Sequence, residues 1–168
     1  MNGREIIKDI MTKSNITNSA LANKLGITQA ALWDRIDTTP RKGKPRKDIP
    51  VSLLSEMVQA MDYKVTIVPS STSVAENGYV IESYKGGSNM KPNEIVKDIM
   101  KFRGVTYAFL ADKLGKSTPS AISNPLSREN GMRIDTFLEM IEAMDCEVIV
   151  KSKLNDNAEW NVYSSIKR

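Results

Sequence analysis

The sequence contains no histidine and only one cysteine, Cys146. Without histidine the chain lacks the commonest general base, the usual partner of a serine or cysteine nucleophile and the commonest transition-metal ligand. A lone cysteine excludes an internal disulfide and a cysteine-cluster metal site, so Cys146 reads as a small core residue. Long apolar runs are missing as well: none approaches the roughly 20 residues that span a bilayer. The N-terminus "MNGREIIKDI" turns charged where a signal peptide turns apolar. These absences predict a soluble, unexported, cytoplasmic protein that is not an enzyme and carries no cofactor or metal. Carboxylate pairs such as Glu139 and Glu142 fall at helical spacing among charges of both signs and read as a solvated helix face. "KGGSN" at Lys85 to Asn89 lacks the Gly-Lys-Ser/Thr ending of a phosphate-cradling loop and reads as a linker.

What the chain does have is one pattern written twice. "EIIKDIM" at Glu5 to Met11 returns as "EIVKDIM" at Glu94 to Met100, and "LANKLG" at Leu21 to Gly26 returns as "LADKLG" at Leu110 to Gly115, both at an offset of 89. "MVQAMDYKVTIV" from Met57 and "MIEAMDCEVIV" from Met140 match at an offset of 83. The first copy is therefore six residues longer between the second and third blocks, and that longer segment holds the stretch "TPRKGKPRKDIP" at Thr39 to Pro50.

Each copy predicts the same elements. Ile6, Ile7, Ile10 and Met11, like Ile95, Val96, Ile99 and Met100, fall at helical spacing and give a first helix one apolar face. Thr17 and Thr106 stand as N-caps of a second helix that Gly26 or Gly115 stops in the left-handed conformation. A third helix follows Thr28 in copy 1 and opens at Pro119 in copy 2, with Leu32 matching Ile122 and Ile36 matching Leu126. A fourth opens near Ser52 or Asp135, each able to cap. The period then switches to strands: "KVTIV" with "YVIESY" from Tyr79, and "EVIVK" with "EWNVYS" from Glu159. The duplicate hairpins are expected to join in one small sheet about an approximate twofold axis, since a lone hairpin is marginal.

Two helices joined by a tight Gly turn inside an apolar bundle form a helix-turn-helix pattern. "LANKLGITQAALWDRI" and "LADKLGKSTPSAISNPL" resemble the DNA-binding domains of the phage lambda repressor and Cro family, over residues 4–68 and 93–151. The resemblance implies a mainly α fold with short β-hairpins, built from tandem duplicated lambda-repressor-like helix-turn-helix domains, each followed by a hairpin. The division is 1–85 for repeat 1, 86–91 for a linker and 92–168 for repeat 2. It also implies that the helix after the turn enters the major groove of double-stranded DNA. By position, Thr28, Gln29, Ala30, Trp33 and Asp34 would then face DNA in copy 1, and Ser117, Thr118, Ser120, Ser123 and Asn124 in copy 2. Arg35 on helix 29–36 completes the first set and Arg128 the second. Gln29 and Asn124 carry the paired donor and acceptor that suit adenine. Trp33 is bulky for such a face and is expected to pack as core or partial core. Pro125 is expected to end or kink the copy 2 helix within about two turns.

Repeat 1 also carries the charge. Residues 1–68 hold 11 Lys and Arg against 7 Asp and Glu, whereas residues 92–153 hold 9 of each. Arg41, Lys42, Lys44, Arg46 and Lys47 crowd basic loop 38–48, a segment that in the resembled family lies against the phosphate backbone; its copy 2 counterpart "SRENGMR" has only Arg128 and Arg133. "RKGKPRK" further resembles the minor-groove AT-hook, whose Arg-Gly-Arg-Pro core lies extended, with Lys42, Gly43, Lys44 and Pro45 in its place. Lys replaces Arg at both flanking positions and lacks the planar guanidinium. The resulting expectation is a phage, prophage or mobile-element transcriptional regulator, a repressor, acting as a homodimer or as an intramolecular pseudo-dimer. The alternative keeps the fold but makes one or both repeats a protein-interaction module. An example is a phage-encoded inhibitor of a host nucleic-acid-binding enzyme, with repeat 2 not reading DNA.

Overall fold

The computed structural model describes residues 1–44, 46–70, 79–81, 91–128, 132–154 and 158–163. Within them the chain is mainly α, with eight helices and four strands. The order is α1 (Gly3–Lys13), α2 (Asn18–Leu25), α3 (Gln29–Ile36), α4 (Val51–Ala60), β1 (Tyr63–Pro69), β2 (Tyr79–Ile81), α5 (Pro92–Arg103), α6 (Tyr107–Lys113), α7 (Ser120–Leu126), α8 (Ile134–Ala143), β3 (Cys146–Ser152) and β4 (Glu159–Val162). The expected linker "KGGSN", the remainder of "YVIESY" after Ile81, Ser164 and Pro45 lie outside the described residues.

The helices follow from their apolar stripes and caps. Ile6, Ile7, Ile10 and Met11 are buried along α1, as are Ile95, Val96, Ile99 and Met100 along α5. Thr17 Oγ1 accepts from the Ala20 N–H and Thr106 Oγ1 from the Phe109 N–H, each at 3.2 Å. Gly26 (φ 65°) caps α2 in the left-handed region, and Gly115 (φ 62°) stands two residues past the end of α6. Ala22 and Ala111 are buried on the inward faces of α2 and α6.

The fourth helix of each half departs from expectation. It starts one residue before Ser52 and one before Asp135, with Pro50 and Arg133 at the cap positions and no side-chain cap. The donors at these helix starts are used across the molecule instead. The Val51 N–H donates to Met132 O and the Ile134 N–H to Ile49 O, both at 3.1 Å. Positions 50 and 133 also pair as a β-bridge, and they correspond at the 83-residue offset.

The same reciprocity holds in the sheet, whose order is β2-β1-β3-β4 with antiparallel neighbours. The two hairpins meet along β1 and β3, where Thr66 lies opposite Ile149, again 83 residues apart. Ser70 N–H donates to Asp145 O (3.0 Å) and Lys153 N–H to Asp62 O (2.9 Å), another exchanged pair. Asp62 and Asp145 both take positive φ (69° and 54°), a conformation Asp tolerates better than most residues. One sheet face is buried through Tyr63, Val65, Ile67, Cys146, Val148, Val150, Trp160 and Val162, continuous with the helical core.

Trp160 carries the C-terminal hairpin onto the N-terminal half. Its ring sits edge-on to Tyr63, with centroids 5.2 Å apart, and under Lys13 Nζ at 4.9 Å, while its indole N–H donates to the Asp9 carboxylate. The bond from Lys13, then that from the indole, holds the Asp9 carboxyl below its ordinary range. Among the described residues no helix is long and apolar enough to cross a membrane.

Candidate nucleic-acid interface

The third helix of the N-terminal half is positioned by two buried residues and one cap. Leu32 and Ile36 anchor α3 in the core, and Thr28 Oγ1 accepts from the Ala31 N–H at 3.2 Å. Gln29, Ala30, Trp33 and Asp34 are exposed and share the opposite face, while Arg35 is half-buried. Trp33 corrects the core expectation: 58% of it is exposed. Leu32 and Ile36 already fill the inward stripe, and one residue further along a helix is turned by about 100°, which carries the indole outward. There it walls a groove of about 490 Å³ shared with Lys8, Met11, Thr12 and Ile36.

The basic loop has a defined shape. Arg41 and Lys44 exchange two backbone hydrogen bonds of 3.1 Å, and between them Lys42 (φ 52°) and Gly43 (φ 71°) both lie in the left-handed region. Two successive positive φ values make a tight reversing turn of the kind found in hairpins. This corrects the extended AT-hook conformation, because the Lys42-Gly43 pair folds the chain back on itself. Pro45, the last member of that motif, is outside the described residues.

Two arginines lock this turn to α3. The side chain of Arg46 is only 10% exposed. Its Nη1 donates to the backbone oxygens of Asp34 (3.0 Å) and Asp37 (3.1 Å) and to Asp37 Oδ2 (3.0 Å), while Nη2 donates to Asp34 Oδ1 (2.9 Å). Arg4 donates from Nε to Arg35 O (2.8 Å) and from Nη1 to Lys47 O (3.2 Å). Together they satisfy carbonyls left open at the end of α3, where positive charge is favoured. Arg46 is therefore part of the framework, which corrects the expectation that it is a free phosphate contact. Asp34 is likewise engaged, by Arg46 and by Arg41, and the bond from Arg46 is the main reason its carboxyl is held below the ordinary range. Asp37 is lowered chiefly by the Thr39 N–H (2.9 Å), with Arg46 adding to it. Three cations of the loop remain exposed with no ion pair among the described residues: Lys42, Lys44 and Lys47.

Beside the start of α1, Asp48 is a buried carboxylate that accepts from the Gly3 N–H (2.7 Å) and the Ile49 N–H (2.8 Å), and burial pushes its carboxyl up. A Cβ at Gly3 would lie 3.3 Å from both Ile134 and Ile49, so the glycine permits this close approach. Arg133 Nη1 reaches Asp48 O at 3.0 Å and ties the loop's far end to the other half.

The C-terminal half places its own set differently. Ser117, Thr118, Ser120, Asn124 and Arg128 are exposed and Ser123 is half-buried. Thr118 and Ser120 hydroxyls bond each other at 2.8 Å, Ser127 Oγ donates to Ser123 O at 3.0 Å, and Asn93 Nδ2 donates to Leu126 O at 3.1 Å. Pro125 lies inside α7, which ends one residue later. Residues 129–131, with Glu129, are outside the described set.

Sequence reasoning missed Arg4, whose role depends on carbonyls more than 30 residues away. It also missed the exposed aromatics of α5 and α6: Phe102 (84% exposed), Tyr107 (37%) and Phe109 (52%). Their counterparts at the 89-residue offset are Lys13, Asn18 and Ala20, a contrast that comparing the copies position by position reveals. Among the described residues no group of three or more His, Cys, Asp or Glu is placed to hold a metal ion. Compared with known proteins, the chain matches no family model, no curated protein and no solved structure.

Proposed function

We propose that the protein is a sequence-specific binder of double-stranded DNA, built as two lambda-repressor-like helix-turn-helix units fused into an intramolecular pseudo-dimer, and that it serves as a phage or prophage transcriptional repressor. The observation that carries this reading is the N-terminal constellation: α3, capped by Thr28 and anchored by Leu32 and Ile36, turns Gln29, Ala30 and Trp33 outward beside a clamped turn bearing Lys42, Lys44 and Lys47. A groove-reading helix needs polar base contacts on its outer face and cations beside it for the phosphates, and this arrangement supplies both. The pseudo-dimer reading is supported by the hydrogen bonds exchanged at the 83-residue offset.

The direct test is fluorescence anisotropy of the full chain with duplex DNA over a salt series. Binding whose logarithm falls linearly with the logarithm of salt is expected. Binding that ignores salt, or no binding, refutes the reading.

One observation favours a second role for the C-terminal half. Phe102, Tyr107 and Phe109 are exposed on it where the N-terminal half carries Lys13, Asn18 and Ala20, and its net charge is zero. Such a surface suits a protein partner, such as a host nucleic-acid-binding enzyme. If it does so, the double variant Phe102→Ser, Phe109→Ser binds duplex as the wild type does and loses the protein partner. If duplex binding falls with it, the surface belongs to the DNA interface.

A further inference from the structure

Asp34 stands on the exposed face of α3, where an acid opposes a polyanion. Its carboxylate is shared by two arginines of unlike character. Arg46 is nearly enclosed and held by three further bonds, to Asp34 O, Asp37 O and Asp37 Oδ2. Arg41 is 65% exposed and its guanidinium reaches the same oxygen, Asp34 Oδ1, from the solvent side. Exposed pairs of this kind gain little and exchange readily. A carboxylate and a phosphate offer a guanidinium the same thing, anionic oxygens that accept its N–H groups.

We infer that Asp34 is a built-in competitor for the DNA phosphate: it occupies Arg41 in the free protein and gives it up when the basic turn docks beside a backbone phosphate. Arg46 stays on Asp34 after the exchange, so the carboxylate left behind is still neutralised. Asp34 then acts as a specificity-determining residue without reading a base. It withholds one cation from every duplex that does not seat the turn, and so lowers affinity for arbitrary DNA. The inference rests on the DNA-binding reading above.

The test uses full-length protein and a duplex of arbitrary sequence, with anisotropy measured across a salt series. Asp34→Asn keeps an acceptor oxygen for Arg46 and removes the charge that holds Arg41. It is expected to bind about fivefold more tightly at roughly 0.15 M salt, with a log–log slope steeper by about 0.9, the effect of neutralising one more phosphate. Asp34→Ser is expected to do the same, and melting curves of both variants establish that they are folded. In the Arg41→Ala background the same substitution has no effect: Asp34→Asn, Arg41→Ala binds as Arg41→Ala alone does, with the same slope. Tighter binding of the double variant than of Arg41→Ala reflects bulk charge and overturns the inference, as does an unchanged slope in Asp34→Asn when the wild type binds. If the wild type binds no duplex at any salt, the DNA-binding reading falls and the inference with it.

Discussion

The two tryptophans lie in opposite surroundings. Trp33 is 58% exposed on α3, whereas Trp160 is 6% exposed between Tyr63 and α1. Trp33→Ala is therefore expected to change unfolding free energy by less than about 1 kcal/mol in urea titrations, and Trp160→Ala to lower it by about 3–5 kcal/mol. A large loss at Trp33 would return it to the core. Gln29 is exposed on the outer face of α3, so Gln29→Ala should leave stability unchanged and cost about 1–3 kcal/mol on the preferred site with little change in salt slope. Residue roles that depend on a neighbour one or two turns away are legible in the sequence: Thr17, Thr28 and Thr106 are caps, and Gly26 is a left-handed stop, because these act through nearby backbone. Trp33 is misread as core when size is weighed before helical phase, and phase decides direction.

At the scale of elements, the basic loop is a clamped turn whose five cations have different roles. Replacing Lys42, Lys44 and Lys47 by Ala should weaken binding to all duplexes and reduce the salt slope by about 0.9 for each phosphate no longer neutralised, with melting temperature unchanged. Arg46→Ala should instead lower the melting temperature by about 5 °C, since it uncovers the carbonyls of Asp34 and Asp37. Acid should loosen the same clamp. Asp34 and Asp37 have lowered pKa values, so their stabilisation is present above the ordinary carboxylate range and lost as pH falls through the depressed values. Amide exchange at Arg41 and Lys44, corrected for its intrinsic pH dependence, is expected to speed up below about pH 4. Buried Asp48 acts in the opposite sense, its pKa being raised, so its contribution is lost as pH rises. The charge of this loop is plain in the sequence, but its partition is not. Arg46 and Arg4 look like any other surface cation until the end of α3 is placed against them.

Across the whole molecule the halves are joined by backbone, through β1 with β3 and through the exchanged bonds around Pro50 and Arg133. That predicts one calorimetric unfolding transition for the full chain; two separated transitions would mean that the shared sheet does not couple them. The order of elements is readable because apolar period, Gly and Thr mark helices and strands locally. The starts of α4 and α8 are not, since N–H groups there are satisfied by carbonyls of the other half, far away in sequence. The asymmetry between halves is readable in the charge, and the exposed aromatics of the C-terminal half sharpen it.

The central claim, sequence-specific reading of duplex DNA led by the N-terminal half, is tested most directly by selecting bound duplexes from a random library with the full chain and with its Gln29→Ala variant. One enriched motif is expected, with its information concentrated in a single half-site and altered in the variant. Recovery of no motif, or of the same motif from both proteins, would contradict it.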